Sequence, residues 1–267
     1  MKRLLFACAL WLATAAQAHE YWLMPSRFSA PAGERIGVGH RVGSGWPGEP
    51  LPRNPQRVVR FALVDGRGER PIAGAAGDEP AGTVTLRATG LSIALYRSTA
   101  SPVVLEAAQF ESYLRDEGLE HVVAWRAARG QSLAPGRERF SRNAKALIAV
   151  GAANAGTASG AAADRPLGLA LELVAEANLR RLAGGGRLVV RLLHEGRPLA
   201  GTLVKAIAED LAQPRIERRS DAAGRVVFDL SAGGVWLVNA VHIMQAPAGS
   251  DYEWDSLWSS LTFELAR

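Results

Sequence analysis

Short stretches of alternating hydrophobic and polar residues recur along most of the chain, which is the pattern of antiparallel β-strands. In the first half, turns rich in Pro and Gly separate these stretches. The pattern predicts strands at residues 35–42, 57–64, 83–88, 91–96 and 102–105. We therefore expect the first half to begin as an antiparallel β structure.

After the fifth of these strands the hydrophobic period changes. Phe110, Tyr113 and Leu114 recur at helical spacing, and Gly118 follows them as a break between two short helices. Residues 139–149 then end in an apolar run that either returns to the sheet or forms a helix, because periodicity alone does not separate the two. The pattern predicts a helical insertion within the β structure.

A low-complexity run divides the chain. Residues 151–163 consist almost entirely of Ala, Gly, Ser, Thr and Asn, and an Asp-Arg-Pro sequence ends the run. Such residues bury too little side chain to order themselves. A chain of 267 residues also suits two domains. We predict a β-rich unit with a helical insertion at 19–150, a flexible linker at 151–165 and a second unit at 166–267.

The second unit has a simpler strand pattern. Its predicted strands are residues 167–174, 187–194, 201–208, 215–220, 225–230, 235–242 and 257–265. Short strands separated by regular turns are typical of an Ig-like β-sandwich. Residues 220–228, followed by Gly-Val-Trp at 234–236, resemble a turn of bacterial surface and carboxypeptidase-regulatory-like sandwiches. The predicted fold class is therefore mainly β, and we expect residues 166–267 to fold alone.

The beginning of the sequence predicts export. Lys2 and Arg3 precede an apolar stretch, and Ala-Gln-Ala at 16–18 matches a signal-peptidase cleavage pattern. We predict a signal peptide at residues 1–18 and a periplasmic or secreted mature protein. The single cysteine, Cys8, would leave with the signal, so no thiolate chemistry is expected. No later stretch of 18 residues is apolar and uncharged, and we expect no membrane insertion after cleavage.

Charge and motifs argue against nucleic-acid binding and catalysis. Removing Lys2 and Arg3 lowers the formal net charge from +5 to about +3, too small an excess to indicate a nucleic-acid partner. Residues 43–48 match G-x-G-x-x-G, but Pro47 and the prolines after it exclude the helix that would bind a pyrophosphate. The sequence contains no G-x-S-x-G, H-E-x-x-H, Walker or C-x-x-C motif. We predict that the protein is not an enzyme.

The order of several motifs resembles the secreted bacterial family called domain of unknown function 4198, DUF4198. The motifs are His-Glu-Tyr-Trp-Leu at 19–23, Glu-Gly-Leu-Glu-His at 117–121, Arg-Glu-Arg-Phe-Ser-Arg at 137–142, Trp-Leu-Val to Val-His-Ile-Met at 236–244, and Trp-Asp-Ser-Leu-Trp at 254–258. Members of this family are often labelled as periplasmic proteins associated with nickel and cobalt uptake. The resemblance implies a binding or delivery accessory for a divalent transition metal, with a metal-uptake membrane transporter as its partner.

Cleavage after residue 18 would expose a metal-chelating amino terminus. The α-amine and the imidazole of His19 could chelate one ion together, and Cu(II) or Ni(II) can displace the amine proton because its pKa is near 7.7 to 8.0. His242 ends a predicted strand and is the preferred partner. Met244, two residues on, would share its face and add a thioether. The predicted ligands of a nickel, cobalt or copper ion are therefore His19, His242 and Met244.

The remaining histidines are weaker candidates. His40 and His121 could contribute to the site, whereas His194 lies beside a hairpin turn, where we expect a solvated side chain. Two other functions stay open. A structural or adhesion-type sandwich would bind a protein or glycan through its loops, and a copper-dependent oxidase would use the same amino-terminal chelate.

Two further groups of side chains have both a binding and a structural interpretation. The basic group at Arg126, Arg129, Arg137, Arg139, Arg142 and Lys145 could bind an anion, but we expect a solvated or salt-bridged face. Trp236, Trp254 and Trp258 could stack on a sugar, but aromatic residues at strand spacing usually fill a sandwich core.

Overall fold

The structure is a computed structural model that describes residues 20–151, 164–176, 182, 186–210, 212, 215–231 and 233–266. It is 55% strand and 9% helix, so the predicted mainly-β fold class is confirmed. The helical insertion is also present, as α1 (Ala107–Asp116) and α2 (Glu120–Ala127), and a 3-10 turn spans Pro55–Arg57. Over the described ranges, no helix has the length and apolarity needed to cross a membrane.

The strands follow the predicted pattern, with additions. Those of the first half are β1 (Glu20–Pro25), β2 (Ser29–Ala30), β3 (Arg35–Gly43), β4 (Glu49–Leu51), β5 (Val58–Asp65), β6 (Gly68–Pro71), β7 (Gly82–Thr85), β8 (Gly90–Ser98), β9 (Ser101–Leu105) and β10 (Gly136–Val150). Those of the second half are β11 (Leu171–Ala175), β12 (Gly186–His194), β13 (Arg197–Pro198), β14 (Leu203–Ala208), β15 (Ile216–Arg219), β16 (Arg225–Leu230), β17 (Gly234–Gln245) and β18 (Trp254–Leu265). The apolar run that ends at residue 149 is therefore strand rather than helix.

The strands form three sheets. A ten-stranded central sheet has the order β15-β14-β17-β18-β10-β8-β5-β6, and β2 and β9 also pair with β10. The amino-terminal sheet contains β1, β3, β4 and β7, and the carboxyl-terminal sheet contains β11, β12, β13 and β16. In the central sheet β10 runs parallel to β18, from the Glu138–Trp254 pair to the Ala146–Thr262 pair. The central sheet therefore joins strands from both halves of the chain.

The two smaller sheets cover opposite faces of the central sheet. Leu237 of β17 belongs to the core that includes Trp22 of the amino-terminal sheet. The preceding residue, Trp236, packs with Val190 and Phe228 of the carboxyl-terminal sheet. Because successive side chains of a strand point to opposite faces, the molecule has three layers with the central sheet in the middle.

The helical insertion lies on the same face as the amino-terminal sheet. Phe110 of α1 and Val122 of α2 pack with Val241 and Trp258 of the central sheet. Val241 has the same strand parity as Leu237, which contacts the amino-terminal sheet. The amino-terminal sheet and the helices thus lie side by side over one face.

A buried ion cluster anchors the chain where the low-complexity run ends. The Nζ atom of Lys145 lies 2.8 Å from both carboxylate oxygens of Asp164 and 3.2 Å from Oε1 of Glu172. Residues 152–163, the bulk of the predicted linker, lie outside the residues that the structure describes. The sequence predicts that residues 166–267 fold alone, whereas the continuous central sheet leads us to expect that they do not.

Candidate metal centre

His242 lies near the end of β17, just beyond the neighbouring strand β14. The pairing of β14 with β17 stops at Val204 and Ala240, while β18 continues to pair with β17 beyond His242. Even-numbered side chains of β17, such as Ala240, face the carboxyl-terminal sheet. Strand alternation therefore places His242 and Met244 on that face.

The carboxyl-terminal sheet places a second imidazole beside His242. His194 is the last residue of β12, and its ring centroid lies 4.7 Å from that of His242, with the ring planes inclined by 56°. Both side chains are half-buried. His194 lies beside the hairpin turn, as expected from the sequence, and its half-buried ring also packs against His242 from the facing sheet.

The separation of the two rings suits a shared metal ion. With metal–nitrogen distances of about 2.0 to 2.1 Å, two imidazoles on one ion have ring centroids roughly 4.5 to 5.2 Å apart for bond angles between 90° and tetrahedral. The observed 4.7 Å lies within this range. Imidazole is a good ligand for Ni(II), Cu(II) and Zn(II). The separation is therefore compatible with two imidazole ligands on one ion, and it is also an ordinary distance for two packed rings.

Electrostatics keep the His242 ring in the form that binds metals. Burial, with smaller contributions from the imidazoles of His194 and His121, lowers the pKa of His242 to about 4. A ring with this pKa is neutral at pH 7. Only neutral imidazole has a free lone pair for a metal, so the ligand needs no deprotonation at neutral pH.

The third histidine considered as a ligand, His121, lies at the start of α2. His121 is exposed and follows the first residue of α2, Glu120, whose carboxylate oxygens lie 2.8 and 3.1 Å from Nη2 of Arg219. Across the residues with described positions, no three His, Cys, Asp or Glu side chains already form a group that could hold a metal ion. Of the candidate ligands, His194 and His242 are the two whose rings the structure shows in contact.

The amino-terminal part of the predicted site is only partly described. His19 lies outside the described residues, which begin at Glu20. The Nζ atom of Lys205 lies 3.7 Å from the Glu20 carboxylate and 2.6 Å from that of Glu117, whose pKa is raised by burial. This cluster joins the amino-terminal sheet to the helices, on the face of the central sheet away from His242. A site shared by His19 and His242 stays a prediction.

Comparison with models of known protein families identifies the family of this chain. The family model for the domain of unknown function DUF4198 matches residues 16–244, which is most of the sequence. The chain belongs to the DUF4198 family. The matched range includes all five histidines of the sequence and also Met244. The expected family resemblance is thus confirmed.

Other comparisons add little about this DUF4198 protein. It is similar to the solved structure of the D0-D1 domain of Intimin, with 11% sequence identity, a TM-score of 0.23, and coverage of 93% of this chain and 98% of that one. At so low a TM-score the likeness carries no argument. The comparison with curated proteins finds no match.

His40 of the DUF4198 chain is a core residue. It is 2% exposed, and its ring lies 4.8 Å from Tyr96, 5.0 Å from Phe61 and 5.5 Å from Tyr21 by centroid distance. Burial, with a smaller contribution from the charge of Arg53, lowers its pKa to about 4. His40 fills the core between the amino-terminal and central sheets and is not brought to the His194–His242 pair.

The basic and tryptophan groups are structural in this protein. Arg126 and Lys145 are buried, and Arg139 is ion-paired with Asp255 at 2.7 Å, so these members of the basic group form no open anion site. Trp236, Trp254 and Trp258 are also buried. An exposed sugar-stacking platform of these three rings is therefore excluded.

Proposed function

We propose that this DUF4198 protein is an exported accessory that binds a divalent transition metal, nickel, cobalt or copper, and delivers it to a metal-uptake membrane transporter. The observation that carries the proposal is the pair of imidazoles of His194 and His242, 4.7 Å apart between centroids and contributed by two facing sheets. Rigid sheets hold the two ligands in place before the ion arrives, which reduces the ordering cost of binding.

The composition of the pair suits delivery better than catalysis. Two imidazoles leave coordination positions to solvent or to a ligand of the recipient, and fewer protein ligands allow faster release of the ion. Met244, on the face of His242, can add a soft thioether that favours copper. The α-amine and imidazole of His19 can add further donors if the mature chain begins there.

The competing function is a structural or adhesion-type sandwich that binds a protein or glycan through its loops. Leu133 is 93% exposed in the loop after α2. The buried guanidinium of Arg126 holds this loop by donating hydrogen bonds to the carbonyl oxygens of Gln131, at 2.8 Å, and Ala134. A single exposed apolar side chain is ordinary on a protein surface, so this loop alone does not favour the competing function over metal binding.

Calorimetric titration separates the two functions. Ni(II), Co(II) and Cu(II) are titrated into the mature protein, into His194→Asn and into His242→Asn, with Glu49→Gln as a control that removes an exposed carboxylate of β4. We expect binding to the mature protein and the control, and a loss of affinity of about 10-fold or more in each histidine variant. No binding of any ion to the mature protein would overturn the proposal and favour the protein- or glycan-binding function.

A further inference from the structure

We propose that a cleft along the open edge of β15 binds an extended acidic peptide of a partner protein, which adds to β15 as a further strand of the central sheet. This edge cleft lies between β15 and the two helices of the insertion. The proposal goes beyond metal binding and does not depend on it, because no residue of the His194–His242 pair lines the cleft.

β15 is the terminal strand on one side of the central sheet. It pairs with β14, and among the described strands it has no second neighbour. The N–H of Ser220, directly after β15, donates to the carbonyl oxygen of Thr202, directly before β14, at 3.0 Å. Because hydrogen-bonded residues alternate along an antiparallel ladder, the backbone N–H and C=O groups of Glu217 and Arg219 face away from β14.

A contact of Arg218 agrees with an open backbone edge. Its Nη1 atom donates to the carbonyl oxygen of Glu217 at 2.8 Å, where a neighbouring strand would otherwise donate an N–H. Arg218 is exposed, so its side chain can turn away when a strand arrives. An added strand would then bond the outward groups of Glu217 and Arg219, as in other cases of β-strand addition.

The helical insertion forms the facing wall of the edge cleft. Arg115 and Asp116 at the end of α1 line it, and the cleft has a volume of about 420 Å³, within the range typical of ligand-binding clefts. Nη1 of Arg219 donates to the carbonyl oxygen of Gly118 at 3.2 Å, and its Nη2 lies 2.8 Å from the carboxylate of Glu120. These contacts fix the start of α2 beside β15.

The lining shows that the cleft follows the edge of the strand rather than one of its faces. Glu217 and Arg219 lie on one face of β15, whereas Arg218, between them, lies on the other. All three side chains line the cleft. A peptide in the cleft would therefore meet the backbone of β15 and side chains from both of its faces.

The charge of the edge cleft favours an acidic peptide. Four arginines and three carboxylates line it, and among the described residues Arg218 has no carboxylate partner. The Arg215–Glu217 and Arg219–Glu120 pairs are exposed, so they contribute little and can exchange partners. Charged edge strands normally discourage pairing with other strands. A guanidinium binds a carboxylate well, so an acidic strand is the one that this edge accepts.

Fluorescence anisotropy of a labelled peptide tests the charge preference. The probe has about eight residues that alternate Glu and Thr, and its counterpart alternates Lys and Thr. We expect the mature protein to bind the Glu peptide more tightly than the Lys peptide. Arg218→Glu should lower the affinity for the Glu peptide by about 3- to 10-fold. Arg97→Glu, the same charge change at an exposed position of β8 outside the cleft, should leave it unchanged.

A proline in the strand tests the backbone contact. Glu217→Pro removes an outward N–H and leaves the hydrogen bonds to β14 in place, and Glu217→Ala is the matched control that removes only the side chain. We expect the affinity of Glu217→Pro to be about 10-fold lower than that of Glu217→Ala. In wild type, NMR should show slower exchange of the Glu217 and Arg219 amides when the Glu peptide is added.

The outcomes decide each part of the proposal. No binding of the Glu peptide at about 1 mM, or equal affinity for the Lys peptide, would overturn it. Unchanged exchange of the Glu217 and Arg219 amides in the complex would also overturn it, because the peptide would then bind elsewhere. If Glu217→Pro loses its thermal transition, the exchange measurement on wild type still decides. None of these results bears on metal binding by His194 and His242.

Discussion

The ammonium group of Lys145 lies 2.8 Å from each carboxylate oxygen of Asp164, and the lysine and aspartate side chains are 1% and 0% exposed. Asp164 is the first described residue after the low-complexity run, whereas Lys145 lies in β10 of the central sheet. The Oδ2 atom of Asp164 also accepts a hydrogen bond from the backbone N–H of Ala175 in β11. This ion pair therefore ties the beginning of the second half to the strand that ends the first.

Replacing Lys145 by Met should strongly destabilise the protein. The change leaves Asp164 and Glu172 buried without their cation, and breaking a buried ion pair in this way costs about 3 to 5 kcal/mol. Urea unfolding of the mature protein measures the loss in free energy of unfolding.

A matched exposed pair gives the control. Arg139, which is 41% exposed, forms a salt bridge with Asp255 on β18. The substitution Arg139→Met should therefore lower the free energy of unfolding by only about 0 to 1 kcal/mol. Equal losses for Lys145→Met and Arg139→Met would contradict the structural role given to the buried cluster.

A fragment of residues 166–267 should not fold cooperatively by itself. It contains β18 without β10, whose parallel pairing runs from Glu138–Trp254 to Ala146–Thr262, and it lacks Lys145. The unpaired edge and the uncompensated Glu172 both favour aggregation or loss of structure. Amide dispersion and a thermal scan of the fragment are the measurements. A sharp transition near that of the full mature chain would instead support two independent domains.

Stability should fall as the pH rises through the titration range of Glu138. This carboxyl is 2% exposed and accepts a hydrogen bond from Ser256, and burial raises its pKa from 4.5 to about 7. The folded protein then retains a proton that the unfolded chain releases between pH 4.5 and 7. Ionisation in this window lowers the free energy of unfolding by roughly 1 to 3 kcal/mol in total.

The variant Glu138→Gln isolates this effect. An amide keeps the size of the side chain but does not titrate, so its free energy of unfolding should decline less than that of wild type between pH 4.5 and 8. Urea unfolding at several pH values gives both curves. Parallel curves for the two proteins would rule out Glu138 as the source of the pH dependence.

Cleavage by signal peptidase should yield a mature chain that begins at His19. The Ala-Gln-Ala pattern ends at residue 18, and the intact mass of the exported protein checks the site. If the α-amine takes part in metal binding, an added Met before His19 should lower the affinity by orders of magnitude. Equal affinity with and without the added Met would remove His19 from the ligand set and leave the His194–His242 pair unaffected.

The sequence predicted the elements better than their assembly. The helical spacing of Phe110, Tyr113 and Leu114 identifies the insertion because these three side chains fill one core. The strand β1 was not predicted, since nearly all of its residues are buried and its apolar run lacks alternation. Which strands share a sheet depends on long-range pairing, such as β10 with β18, and local periodicity carries no information about it.

For the candidate site, too, the sequence predicted local features better than contacts between distant segments. His242 stands out in the sequence because it ends a predicted strand, whereas in the structure that strand, β17, continues to Gln245. Its neighbour His194 was assigned to solvent because it precedes a hairpin turn, a local signal that does not reveal the facing sheet. The sequence groups Lys145 with arginines expected on the surface. In the structure it is buried and ion-paired with Asp164 and Glu172, which both follow the low-complexity run. Contacts between distant segments decide these roles.

An anomalous-scattering map tests the central claim most directly. Crystals of the mature protein are grown with Cu(II) or Ni(II), and data are collected on both sides of the absorption edge of the metal. We predict one strong peak between β12 and β17, about 2.0 to 2.2 Å from a ring nitrogen of His194 and from one of His242. A fully occupied ion that contacts neither ring, or no ion at saturating metal, would contradict the account.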